Sequence, residues 1–189
     1  MLDDDYELDR RTGEINLVKK TEDKHDVLYA QDKKGKINKK KFIVVKKGVL
    51  NNKKSGKTKN RNYNFYSVNK DNDANDLFEF VANNSAVEWS LIQFDTKSNY
   101  LSTTNKPHSD YSGPCLVFTL LKGKYTLRGM IHSHPTSTLG ASGFNPNSTK
   151  KGDKNFADWL NNAGSKALLQ VYEVKTNKYI KYNHIGIIK

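Results

Sequence analysis

The sequence is short of cysteine and has no long apolar segment. Cys115 is the single cysteine, so an internal disulfide is excluded, and its place in the apolar run 115–121 favours a buried thiol over a nucleophile. No window approaches the roughly 18–20 apolar residues that a membrane-spanning helix needs. Residues 1–11 are rich in acidic side chains and lack the apolar core of a secretory leader. We therefore predict neither a transmembrane segment nor a Sec-type signal peptide.

Acidic residues are missing from residues 33–61, which carry thirteen basic side chains. These are Lys33, Lys34, Lys36, Lys39, Lys40, Lys41, Lys46, Lys47, Lys53, Lys54, Lys57, Lys59 and Arg61. One interpretation is a solvated strand pair and loop, and the other is a surface for an acidic partner such as nucleic acid, an anionic membrane or an acidic protein. We favour the first, because lysine and asparagine are abundant along the whole chain and arginine, the better reader of phosphate and bases, is rare.

The residue patterns divide the chain into two regions. Residues 1–62 contain short β-type runs separated by turns, including a hairpin pattern between 6–8 and 15–18, and predict a β-rich, basic N-terminal region or linker. Residues 63–189 mix helical and strand patterns, which predict an α/β or α+β layout in one domain built around a sheet. The predicted helices are 71–84 and 152–160, and the predicted strands are 63–68, 86–94, 99–102, 115–121, 125–132, 167–174 and 179–188.

Two histidines stand at the end of an apolar strand pattern, in the sequence His132-Ser133-His134-Pro135. Side chains two residues apart in a strand point to the same side, so both imidazoles leave one face with their Cα atoms about 6–7 Å apart. Two such rings can bind one metal ion, and Pro135 ends the strand so that the second ring lies at its mouth. Alone the pair is weak evidence, because strand-end histidines often form only a polar surface.

Two acidic residues could complete a catalytic metal site. Asp153 opens a predicted helix and could supply a third ligand, with water as the fourth; it could equally cap the helix, and the two roles are compatible. Glu88 lies in an otherwise apolar strand pattern and could serve as a general base beside a metal-activated water. Periodicity alone favours the alternative, an exposed glutamate that alternates with buried neighbours.

The order of these residues resembles the pattern of the JAB/JAMM metallopeptidases, Glu … His-x-His-Pro … Ser-x-x-Asp, over residues 76–169. Residues 129–135, Gly-Met-Ile-His-Ser-His-Pro, are similar to the central strand of that family. The resemblance implies a cytidine-deaminase-like mixed sheet, a zinc ion held by His132, His134 and Asp153, and Glu88 as the catalytic base. It also implies a serine that supports the oxyanion.

Two departures from the family pattern concern that serine. Eighteen residues separate His134 from Asp153, a longer loop than the family usually has, and Lys150 stands three residues before Asp153 where the pattern has serine. Ser148 is therefore our first choice for the oxyanion donor and Ser142 our second.

The whole chain also resembles the JAB-like toxin domains at the C-termini of bacterial polymorphic toxins, including the RHS type. That resemblance implies an effector delivered as part of a larger exported protein, a protein or peptide substrate, and a cognate immunity protein. A metal-dependent nuclease toxin is one alternative, but the sequence has neither a second acidic metal cluster nor a ββα-metal segment, so nucleic acid is the less favoured partner. The second alternative is a non-catalytic JAB-type binding module, a class that would lack the glutamate or one of the histidines.

Overall fold

Two sheets form the framework of the fold, and runs rich in β-branched and aromatic residues form many of their strands. The computed structural model describes residues 4–22, 24–58, 61–95, 98–106, 111–121, 125–136, 140–145 and 152–188. Its strands are β1 (Asp4–Leu8), β2 (Ile15–Lys19), β3 (His25–Gln31), β4 (Ile37–Lys46), β5 (Lys54–Thr58), β6 (Arg61–Val68), β7 (Trp89–Phe94), β8 (Asn99–Thr103), β9 (Leu127–His134), β10 (Leu168–Glu173) and β11 (Lys178–Tyr182). Its helices are α1 (Asp71–Asn84), α2 (Ser112–Leu121) and α3 (Gly152–Asn162).

The larger sheet has seven strands in the order β11-β10-β9-β7-β8-β6-β5. Strands β9 and β10 are parallel, while β7 pairs antiparallel with both β8 and β9. The sheet is therefore mixed, and with its flanking helices and the β-rich N-terminal region it confirms the predicted fold class.

Alternation along β7 and β9 gives this sheet two different faces. Leu91 lies opposite Ile131 on one face, and that face packs against α1 and the N-terminal strands. Ser90 lies opposite His132 on the other face, which α2 and α3 cover with Leu116, Val117, Phe156 and Leu160. The histidines of β9 are thus presented beneath α3.

The smaller sheet has the strand order β2-β1-β3-β4, and β1 runs parallel to β3. Its buried side chains Tyr6, Leu8 and Leu28 belong to the same apolar cluster as Leu77 of α1 and Trp89 of β7. Strand β6, which pairs with β5 and β8 in the larger sheet, crosses residue 62. The division of the chain at that residue stays a prediction.

One predicted element is wrong. The expected strand at 115–121 belongs to helix α2, whereas the predicted helix at 71–84 is confirmed as α1. The run is almost wholly apolar, so periodicity cannot distinguish a buried strand from a buried helix. Proline is tolerated in the first turn of a helix, where Pro114 lies. Gly113 lies so close to the sheet that an added Cβ would be 2.5 Å from Ser90 Oγ.

None of the helices in the described part of the chain is long and apolar enough to cross a membrane.

Candidate metal centre

Strand β9 ends in the two histidines predicted as ligands. His132 is buried and His134 is partly buried, and their Nε2 atoms lie 3.1 Å apart. The two rings are inclined by 65° to each other. Alternation along the strand therefore brings both imidazoles to the same side, as the His-x-His spacing predicts.

Asp153, the second residue of α3, meets these rings from above the sheet. Its Oδ1 lies 3.1 Å from His132 Nε2, and one ligand atom from each of the three residues falls within 4.8 Å of the others. Within the ranges that the structure describes, this is the one group of three or more such side chains close enough to share a metal ion. The structure thus brings together the three residues predicted as metal ligands.

Ser142 forms two hydrogen bonds with Asp153 and a third with Lys154, the next residue of α3. Its backbone N–H donates to Asp153 Oδ2 at 2.5 Å, and its Oγ accepts from the Asp153 N–H at 3.1 Å. Its carbonyl oxygen accepts from the Lys154 N–H at 3.2 Å. Ser142 therefore satisfies two N–H groups at the start of α3, the capping role that sequence alone would give to Asp153. Gly152 leaves room for this contact, since an added Cβ would lie 2.9 Å from Ser142 Oγ.

The electrostatics of His134 and Asp153 favour the protonation states that bind metal. Burial and the neighbouring His132 lower the pKa of His134 to about 4, so this imidazole is neutral at pH 7. Burial alone would raise the pKa of Asp153, but His132 and the hydrogen bonds from His132 and Ser142 outweigh it and hold that pKa below its usual range. A neutral imidazole and a carboxylate are the forms that donate lone pairs to zinc.

Two of the three spacings between the ligand atoms match those of a tetrahedral ion, and all three atoms lie within 4.8 Å of one another. Ligand atoms bound to zinc at about 2.0–2.1 Å lie about 3.3 Å from each other in a tetrahedral site. The two closest pairs here, His132 with His134 and His132 with Asp153, are each 3.1 Å apart. Three protein ligands leave one position open for water or substrate, the arrangement typical of catalytic zinc.

Glu88 lies immediately before β7, on the histidine face. Ser90 pairs with His132 across β7 and β9, and continuing this antiparallel register by two residues brings Glu88 level with His134. Its N–H donates to the Lys106 carbonyl at 3.2 Å, and its carbonyl accepts from Thr103 Oγ1 at 2.8 Å. Glu88 does not belong to the ligand cluster, and its role as the base stays a prediction.

The two candidate serines have different outcomes. Ser148, the first choice for the oxyanion donor, lies outside the described residues, as does Lys150. Ser142, the second choice, is bonded to Asp153 as described above. The role of either serine in supporting an oxyanion stays a prediction.

Sequence reasoning missed Glu173, which β10 places opposite His134. This buried carboxylate accepts the Gly140 N–H at 2.9 Å and the Thr176 hydroxyl at 2.9 Å, so it fixes the segment that leads to Ser142. The sequence feature that singled out Glu88, an acid within an apolar strand pattern, was present at Glu173 as well.

Part of the chain matches a known protein family. Residues 66–158 match the family model JAB-like toxin 1. This segment is a JAB-like toxin domain. The matched span includes Glu88, His132, His134 and Asp153 and leaves out the smaller sheet together with β10 and β11. No curated protein and no solved structure matches the chain significantly.

Proposed function

We propose that the JAB-like toxin domain is a zinc-dependent hydrolase that cleaves a peptide or isopeptide bond. The observation that carries the proposal is that one ligand atom from each of His132, His134 and Asp153 lies within 4.8 Å of the others. The register of β7 and β9, continued by two residues, brings Glu88 level with His134. Two neutral nitrogens and one carboxylate are a donor set that suits zinc, with a position left for a reacting group.

Each residue of the site has one task in this proposal. His132, His134 and Asp153 hold the metal, which when bound polarises a carbonyl group and lowers the pKa of water to about 7. Glu88 takes a proton from the water that attacks the carbonyl carbon and gives it to the amine that leaves as the C–N bond breaks. A serine hydroxyl, from Ser148 or Ser142, is proposed to donate a hydrogen bond to the developing oxyanion.

The family supports a wider proposal about context. We take the chain to be the toxin domain of a polymorphic toxin, carried into a target bacterium by a larger exported protein. A protein or peptide of that cell would be the substrate, and a cognate immunity protein would protect the producer.

A Glu88→Gln variant tests the proposal. Glutamine keeps the size of the side chain but cannot take up the proton, and removing a positioned base costs roughly 10²–10⁴-fold in rate. The purified variant should hold close to one zinc per chain, as the wild type should, while its expression in a sensitive bacterium should no longer stop growth. New protein N-termini, or newly freed lysine side-chain amines where an isopeptide bond is cut, should appear in cells that express the wild type and be absent with the variant.

Two other outcomes would contradict the proposal. Growth inhibition by Glu88→Gln with zinc intact would show that the metal is structural and that toxicity arises elsewhere. Loss of nucleic acid without new N-termini would support the nuclease alternative.

A further inference from the structure

The backbone of Glu88 lies outside the ladder that fixes the metal ligands. That ladder begins at Ser90 opposite His132, two residues further along the chain. Both backbone polar groups of Glu88 instead bond to the turn 103–106, through the Lys106 carbonyl and Thr103 Oγ1. The backbone of Glu88 is therefore held by that turn.

Asn105 is the residue on which the turn depends. Its φ of 58° lies in the left-handed region, which few non-glycine residues adopt, and its N–H donates to Thr103 Oγ1 at 3.0 Å. Its Nδ2 donates to Glu14 Oε1 in the connection between β1 and β2, whereas its buried Oδ1 has no hydrogen-bond partner among the described residues. Glu14 is thus the side chain that ties Asn105 to the smaller sheet.

The same connection also holds the residues that precede Glu88. The Arg10 carbonyl accepts the Ala86 N–H at 2.7 Å. Gly13, with a φ of +68°, packs so closely that an added Cβ would lie 2.4 Å from Val87 Cγ2. The β1–β2 connection therefore contacts the chain just before Glu88 directly and, through Asn105, the turn that binds Glu88 itself.

We propose that Glu14 is a positioning residue that sets the place of Glu88 against the metal centre. The proposal rests on the role of Glu88 given under the proposed function. Glu14 lies outside residues 66–158, so the segment that matches the family model depends on the smaller sheet for the placement of its base.

Four variants of the full chain, loaded with zinc, test this role. Glu14→Ala removes the acceptor of the Asn105 amide, and Glu14→Gln keeps an acceptor oxygen while losing the charge. Asn105→Gly removes the same hydrogen bond from the other side and tolerates the left-handed φ. Lys53→Ala is the matched control, because it breaks the 2.5 Å ion pair with Glu14 Oε2 and leaves the bond to Asn105.

The first measurement, amide hydrogen exchange, needs no substrate. Glu14→Ala and Asn105→Gly should speed exchange at the Glu88 amide roughly 10-fold or more, since a hydrogen bond to a charged group is lost, and should leave the Leu91 amide of β7 unchanged. Zinc content should stay close to one per chain. The protein dose that stops bacterial growth should rise, because a misplacement of about 1 Å can cost about 10²-fold in rate.

Glu14→Gln should restore both the slow exchange and the growth inhibition, and Lys53→Ala should match the wild type. Unchanged exchange at Glu88 in Glu14→Ala would overturn the proposal, as would a Glu14→Gln variant as impaired as Glu14→Ala. If exchange responds as expected but Glu88→Gln is still fully toxic, then the proposed function fails while the contact from Glu14 to the Glu88 segment stands.

Discussion

Asp153 uses its two carboxylate oxygens for different tasks. Oδ2 accepts the Ser142 N–H, and Oδ1 is left directed at His132 Nε2. A ligand whose second oxygen is fixed in this way loses little freedom when it binds a metal, which is how residues around a metal site tune its affinity. The order of residues in the chain predicted the ligand but not its support, because Ser142 is eleven positions from Asp153 rather than three.

An Asp153→Asn variant tests this ligand against a neighbour on the same helix. The amide has no negative charge to offer the metal, so zinc affinity should fall by at least the roughly 10–100-fold that losing an outer-sphere partner costs. Asp158→Asn is the control, because among the described residues Asp158 forms an ion pair with Lys154 Nζ alone, at 2.8 Å, a partly exposed i,i+4 pair. Zinc titration of both variants should show loss in the first alone. Loss in Asp158→Asn alone would mean that α3 turns another face to the site.

Glu88 shows why a single residue can be ambiguous in sequence. Alternation predicts that its side chain lies on the face opposite Val87 and Trp89, which are both buried, yet an exposed glutamate would give the same pattern. The two interpretations differ in which strand lies beside Glu88. The local sequence does not show this, because β9 is forty residues away in the chain. Residues that meet only through sheet pairing leave no trace in local periodicity.

At the scale of elements, strand β4 carries the centre of the basic segment. Asn38 pairs with Ala30 and Phe42 pairs with Tyr29. Residues 39–41 therefore form a three-residue bulge in β4, which is an edge strand. All three of these lysines are exposed. Lysines and bulges on an edge are common means of preventing strands from pairing between molecules, which agrees with a solvated surface.

Neutralising that bulge tests whether it binds an acidic partner. Replacing Lys39, Lys40 and Lys41 with glutamine should leave zinc content and growth inhibition at the wild-type level, because no contact in the described residues joins the bulge to the metal centre. A variant with Lys175, Lys178 and Lys181 changed to glutamine controls for net charge. If the bulge variant alone loses toxicity, and wild-type affinity for nucleic acid falls steeply with salt, the nuclease alternative gains support.

Local sequence patterns predicted most helices and strands, but they did not predict helix α2. Helices α1 and α3 have apolar residues at helical spacing, whereas the run 115–121 is apolar on every side. Its helical form depends on Gly113 packing against Ser90 and Met130, a contact between distant parts of the chain. Strand order also depends on contacts between distant parts of the chain and could not be predicted. In the larger sheet β7 pairs with β9, although α2 lies between them in the chain.

For the molecule as a whole, one apolar cluster connects the two sheets. Tyr6, Leu8 and Leu28 of the smaller sheet pack with Leu77 of α1 and Trp89 of the larger sheet. Burial of apolar surface is the main favourable contribution to folding, so elements that share a core unfold together. The chain is therefore expected to behave as one cooperative unit even though its family match begins at residue 66.

Thermal unfolding with and without zinc tests this expectation. The metal-free chain should unfold in a single transition, and zinc should raise its midpoint, because a ligand that binds only the folded state stabilises it. At a free zinc concentration 100 times Kd the gain is about 2.7 kcal/mol, which for a chain of this size corresponds to a rise in Tm of roughly 5–10 °C. His132→Ala should abolish the rise. Two transitions, of which zinc moves only one, would instead show that residues 1–62 fold as a separate domain, and the smaller sheet would then have no part in holding Glu88.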